Sequence, residues 1–155
     1  MIVFLGIGNE LRRDDSFGLE LLKDLEKILK GKKFKFVSCG TVPFSYLSKL
    51  PKSPKALFIL DTVINEELSP GSLIIKELKQ ESELSGFVSS HKLPFSLLFK
   101  FVNPERTFLV GFVPKDFGYG TGLSSEACEA KKRAVKEIKI ILKSLKCWDE
   151  SSSCF

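Results

Sequence analysis

The chain has 155 residues, of which 43% are hydrophobic and 28% charged, with a formal net charge of +5. That length suits one domain, able to bury roughly two thirds of its unfolded surface without disulfides or a structural metal, and the longest apolar runs are far too short to cross a bilayer. The positive charge is mostly lysine, spread along helix faces and around Lys30 to Lys35, which reads as a solvated surface and not as a nucleic-acid patch. Ile2 to Ile7 reads as a first strand and not as a secretory signal, because no basic region precedes it, and Arg12-Arg13 follows it in the wrong order for a twin-arginine signal. Leu21, Leu22, Leu25, Ile28 and Leu29 then recur at helical spacing, which predicts a helix begun by Asp14 or Asp15 and stopped by Gly31. A strand over Phe34 to Ser38 follows, then a short helix from Phe44 to Leu50 between Pro43 and Pro51, and a strand over Ala56 to Leu60. Pro70-Gly71 marks a turn before a short fourth strand, Ser72 to Lys76, which suits an antiparallel edge. The polar stretch Lys79 to Ser90 reads as a mobile loop leading to His91, the only histidine. A helix from Pro94 to Phe101, a strand over Thr107 to Val113 and a long helix after Ser124-Ser125 complete the order. The last helix carries one apolar stripe through Ala134, Val135, Ile138, Ile141, Leu142 and Leu145.

Repeated strand-helix units indicate an α/β protein with a mainly parallel sheet. We expect a domain over residues 1–148 and a flexible tail over 149–155. The four cysteines, Cys39, Cys128, Cys147 and Cys154, show neither a CxxC pair nor zinc-site spacing, so free thiols in a reducing cytoplasm are expected.

Three groups at strand ends carry the chemistry. Asp15 follows the first strand in Gly6-Ile7-Gly8-Asn9-Glu10-Leu11-Arg12-Arg13-Asp14-Asp15-Ser16-Phe17-Gly18, Asp61 ends the third strand, and His91 lies in a Ser-Ser-His-Lys loop. Two carboxylates and an imidazole form a ligand set for zinc, nickel, manganese or iron with positions left open. Each residue also has a plainer reading: a carboxylate at a helix start often only caps it, a buried strand-end carboxylate needs any partner, and a lone loop histidine is often merely exposed. Asp14 is the better candidate for a cap, since neighbours on a helix point about 100° apart. Gly6-x-Gly8 lacks the third glycine of a dinucleotide fingerprint, Ser16 and Ser90 stand in no nucleophile elbow, and Cys39 is by default a buried, inert thiol.

The order G-x-G-N, four residues, an acidic pair, two residues and Gly resembles the opening of the [NiFe]-hydrogenase maturation endopeptidases. Ile59-Leu60-Asp61-Thr62-Val63 is similar to their strand-end aspartate motif, Ser69-Pro70-Gly71 to the following turn, Ser90-His91-Lys92-Leu93-Pro94 to their histidine loop, and Gly122-Leu123-Ser124-Ser125-Glu126-Ala127 to the start of their last helix. The resemblance spans nearly the whole chain. It implies a three-layer α/β/α single domain with a twisted, mostly parallel five-stranded sheet flanked by helices. It also implies that Asp15, Asp61 and His91 bind a divalent metal in the cleft and act in catalysis as an aspartyl-type endopeptidase. The metal is expected to be the nickel of the substrate, a [NiFe]-hydrogenase large-subunit precursor whose C-terminal peptide is removed after nickel insertion. A cytoplasmic monomer that binds neither nucleic acid nor membrane is expected. Two mechanisms stay open: a metal that activates water and polarises the carbonyl, or two aspartates that share a proton and activate water directly. If His91 is a ligand it is neutral, so metal affinity should fall as the pH drops through about 6.5.

Two departures stand out. Cys39-Gly40-Thr41 replaces the family's usual Gly-Gly-Thr, which puts a substrate contact by this segment in question, and Thr62 replaces a common alanine without expected consequence. The alternatives are a metal-dependent escort that binds the precursor without cutting it, and peptidyl-tRNA hydrolase. The latter shares the G-x-G-N turn but carries a catalytic histidine about ten residues on, where this chain has Leu11-Arg12-Arg13-Asp14-Asp15.

Overall fold

The computed structural model describes residues 1–41, 48–79, 88–89 and 95–148. The elements in chain order are β1 (Ile2–Ile7), a 3-10 turn (Arg13–Ser16), α1 (Phe17–Ile28), β2 (Phe34–Gly40), β3 (Ala56–Ile64), β4 (Leu73–Leu78), β5 (Val88–Ser89), α2 (Phe95–Phe101), β6 (Arg106–Phe112) and α3 (Ser125–Ser144). The sheet runs β2-β1-β3-β6-β4, with β5 paired to β3 off that path. β1, β2, β3 and β6 are parallel, whereas β4 closes the edge antiparallel to β6.

Side chains alternate across the strands and feed two apolar layers. Phe4, Phe58, Leu60, Phe108 and Phe112 face α1 and α3, while Val3, Leu5, Leu57, Ile59 and Leu109 face Leu98 and Val102, the latter just beyond α2. This is the expected three-layer arrangement. On the first face, parallel register brings phenylalanines side by side: Phe36, Phe4, Phe58 and Phe108 form a row across four strands, with ring centroids 5.3, 4.8 and 4.9 Å apart. Such offset pairs contribute roughly 0.5–1.5 kcal/mol each beyond the area they bury. Ala127, Ala130, Ala134, Ile138 and Leu142 form the buried stripe of α3. The small residues in its first half let the helix lie close to α1 and the sheet.

Three expectations change. β3 runs to Ile64 instead of stopping at Leu60, because it pairs with β6 through Thr62 and with β5 at Val63 and Ile64; Asp61 therefore lies within the strand, one residue past the last pair with β1. The loop expected over Lys79 to Ser90 contains β5, a two-residue strand. α1 begins at Phe17, after the 3-10 turn, and its N-cap Ser16 makes no side-chain cap bond, so neither Asp14 nor Asp15 caps it. Most of the helix expected over Phe44 to Leu50, and all of the tail 149–155, lie outside the described residues.

Candidate active site

The cleft opens where β1 and β3 lie side by side while their following connections lead to opposite parts of the sheet. β1 continues through α1 to β2 on one side, and β3 leads towards β4 and β6 on the other. Open α/β sheets bind ligands at such a switch point, beyond the carboxyl ends of the strands. A cavity of about 500 Å³ lies there, lined by Asn9, Arg12, Asp15, Thr41, Val63 and Phe117 among others.

Glycines bring the Asp14-Asp15 turn down onto the strand ends. A Cβ at Gly8 would collide with the Asp15 carbonyl, and one at Gly18 with the carbonyls of Leu60 and Ile7. The G-x-G-N…G pattern thus serves close packing of the turn and α1 against β1 and β3, consistent with the absence of a dinucleotide fingerprint. The Asn9 side chain accepts from the Leu11 N–H at 2.9 Å, and the Asn9 N–H donates to the Asp15 carbonyl, closing the turn on itself.

The adjacent aspartates diverge. Asp14 is fully buried and accepts four hydrogen bonds: from the Ser124 N–H at 2.7 Å, the Ser124 hydroxyl at 2.8 Å, and the N–H groups of Asp116 and Lys115 at 3.0 and 3.1 Å. Ser124 is the N-cap of α3 and accepts in turn from Ala127 N–H. Asp14 is therefore structural, as expected, but the element that it steadies is the start of α3 and not α1. Asp15 instead borders the cleft and accepts from the Thr62 hydroxyl at 2.9 Å.

Asp61 is fully buried on β3, and its Oδ1 accepts from the Thr62 N–H at 2.8 Å. Thr62 thus bonds to both candidate carboxylates, one through its main chain and one through its side chain. The residue expected to be without consequence is the link between them. No sequence pattern would have found it, since the bond joins residues 47 apart.

A second arm forms the far wall. Arg12 Nε donates to the Phe117 carbonyl at 3.1 Å and its guanidinium lies 5.3 Å from the Tyr119 ring centroid, while Arg13 pairs with Asp116 at 2.8 Å. Lys115 and Glu126 pair at 2.6 Å; the Lys115 ammonium holds the Glu126 carboxyl down to about 2. Hydrogen bonding by the Gly118 N–H, with help from Arg13, lowers Asp116 below the usual carboxylate range.

Cys39 is buried in the apolar layer on the α2 side, and burial raises its thiol to about 12. A thiol held protonated in this way is a poor nucleophile. Gly40 takes a left-handed φ of 57°, which turns the chain so that Thr41 borders the cleft. A separate cavity of about 330 Å³, reaching Glu77, Phe99 and Arg106, lies at the other end of β6; Glu77 and Arg106 pair there through two hydrogen bonds of 2.7 and 2.8 Å.

His91 lies outside the described residues. Among the described residues no three His, Cys, Asp and Glu side chains cluster as a metal site would require, and no helix is long and apolar enough to cross a membrane.

Comparison with known proteins follows this geometry. The family model described as hydrogenase maturation protease (HycI) matches residues 19–141, a span that includes Asp61 and His91 and begins just after the first acidic motif. The crystal structure of a [NiFe] hydrogenase maturation protease HycI from Thermococcus kodakarensis is 30% identical, covers 92% of each chain and superposes with a TM-score of 0.71. The hydrogenase maturating endopeptidase HybD of Escherichia coli shares the fold at a TM-score of 0.80, with 21% identity and 92% of each chain covered. A Methanocaldococcus jannaschii protein assigned by name to the hydrogenase maturation proteases is 29% identical over 126 residues, covering 74% of this chain and 72% of its own. These matches set aside the peptidyl-tRNA hydrolase reading and favour cutting over escort. The chain belongs to the hydrogenase maturation protease family and is a maturation endopeptidase.

Proposed function

We propose that this endopeptidase removes the C-terminal extension of a [NiFe]-hydrogenase large-subunit precursor after nickel insertion, and that Asp15, Asp61 and His91 grip the nickel carried by that substrate. The observation that carries the reading is the hydrogen bonding of Asp15, at the cleft edge, and of the buried Asp61 to one residue, Thr62. It links two carboxylates from distant parts of the chain through one residue of β3. Support for His91 comes from its place in the sequence, two residues after β5, whose Ser89 pairs with Val63, two residues beyond Asp61. The chain then enters α2, whose Leu98 packs on the sheet face that carries Leu57, Ile59 and Val63. By strand alternation Asp61 belongs to that face.

The donor set of two carboxylates and an imidazole fits a borderline divalent ion. Such an ion supplies polarisation of a carbonyl and acidification of water. The chain's own residues provide the rest. Thr62 holds one oxygen of each carboxylate, the apolar wall of Val63, Leu68, Pro70, Val113 and Phe117 excludes bulk water, and Asp15 at the cleft edge is the group that takes the proton of the attacking water. Gating by nickel follows if the carboxylates repel each other until a cation sits between them. The work is done by a monomer in the cytoplasm, a compartment that suits the free thiols of Cys39, Cys128 and Cys147.

Mass spectrometry of the precursor tests this. Nickel-loaded precursor mixed with the enzyme should lose the mass of its C-terminal peptide, and nickel-free precursor should keep full mass. Cleavage independent of nickel, or a full-mass precursor under both conditions, would refute the proposal, the latter outcome being that of an escort.

A further inference from the structure

We propose that the Thr62 hydroxyl is a positioning device that fixes the orientation of the Asp15 carboxylate towards the cleft, an inference that rests on Asp15 serving the site as proposed above. Thr62 is fully buried on β3, where pairing with Phe112 of β6 holds its backbone. A β-branched side chain there has few χ1 options, so its hydroxyl is aimed. It donates to Asp15 Oδ1 at 2.9 Å.

Asp15 needs such a constraint more than Asp61 does. Asp61 sits in the middle of a paired strand with no exposed surface, whereas Asp15 sits in a four-residue 3-10 turn at the edge of an open cavity. With one oxygen bonded to the threonine hydroxyl, rotation of the carboxylate is restrained. Outer partners of this kind commonly change metal affinity by ~10–100-fold when removed.

The two contacts of Thr62 are separable. Its N–H bond to Asp61 is made by the main chain and survives any non-proline substitution, whereas the bond to Asp15 is made by the side-chain hydroxyl. Valine keeps the shape and removes the hydroxyl, whereas serine keeps the hydroxyl and removes a buried methyl. A packing role and a positioning role therefore predict opposite orders.

Calorimetric titration of the full chain with nickel(II) alone, combined with thermal melts, makes the test on wild type, Thr62→Val, Thr62→Ser and Asp15→Asn. Positioning requires nickel binding about 10-fold weaker in Thr62→Val and within about 2-fold of wild type in Thr62→Ser, even though serine lowers the melting temperature more. Unchanged affinity in Thr62→Val, or losses that track melting temperature in both variants, would overturn the inference. If Asp15→Asn loses nickel while Thr62→Val keeps it, the positioning role alone fails. If Asp15→Asn binds like wild type, the site reading fails with it.

Discussion

Replacing Asp14 by asparagine separates the structural aspartate from its neighbour. Asp14 Oδ2 receives three donors, the N–H groups of Lys115 and Asp116 and the Ser124 hydroxyl, and Oδ1 receives the Ser124 N–H. Asparagine keeps one acceptor oxygen. In its best orientation that oxygen faces the three donors, and its NH2 is turned on the Ser124 N–H. Three charge-assisted bonds become neutral ones, at roughly 1 kcal/mol each, and a buried donor left facing another donor costs about 1–3 kcal/mol more. Because Lys115 and Asp116 lie at the exposed end of this network, water recovers part of the loss, and the net destabilisation should be about 3 kcal/mol. For a domain of this size that is a fall of roughly 6–12 °C in melting temperature. Asp15→Asn should cost under ~1 kcal/mol, since its amide oxygen still accepts from Thr62, yet it should abolish precursor cleavage. Urea and thermal unfolding of both variants, with cleavage measured alongside, would decide. A melting temperature for Asp14→Asn within about 2 °C of wild type, or equal destabilisation by the two substitutions, would refute this division of roles.

Further outcomes follow from the same geometry. Gly18→Ala should destabilise by about 1–3 kcal/mol in urea unfolding, because its methyl meets the main-chain carbonyls of Leu60 and Ile7; a neutral result would mean that α1 can lift off the strands at no cost. Cys39, with its thiol raised to about 12 by burial, should resist iodoacetamide at pH 8 in the folded protein, and Cys39→Ala should keep cleavage within about 3-fold of wild type; rapid alkylation or loss of cleavage would contradict an inert thiol. The Glu126 carboxyl lies below its ordinary 4.5, at about 2, so its contribution to stability is present above pH 4.5 and is lost as the pH falls towards 2. Glu126→Gln should therefore flatten the decline in melting temperature between pH 5 and 2.5, and an unaltered slope would show that the Lys115 pair does not couple to folding.

Much of the fold could be read from local pattern because the central strands are buried on both faces. Ile2–Ile7 and Ala56–Leu60 are unbroken apolar runs, and the edge strand betrays itself by brevity and a Pro-Gly turn. What escaped depends on tertiary pairing. β5 is two residues within a polar, serine-rich stretch and exists through its pairing with Val63 and Ile64, a partner with no local signature. The extension of β3 past Leu60 has the same origin, and it moved Asp61 from a strand end into the strand. The site shows a similar split. Asp15, Asp61 and His91 stood out as residue types at suggestive positions, but the commitment of Asp14 to residues more than 100 positions later, and the double contact of Thr62, arise only when β1, β3 and the start of α3 meet. A hydroxyl one residue past an aspartate looks like an ordinary strand threonine until the opposing turn is in place.

The proposed convergence of three side chains on one ion is tested most directly by soaking crystals of the protein in nickel(II) and collecting anomalous diffraction at the nickel edge. A single peak bonded by Asp15, Asp61 and His91, with ligand distances of roughly 2.0–2.2 Å, is the expected result. A peak bound elsewhere, or these three residues ordered on separate surfaces, would contradict it.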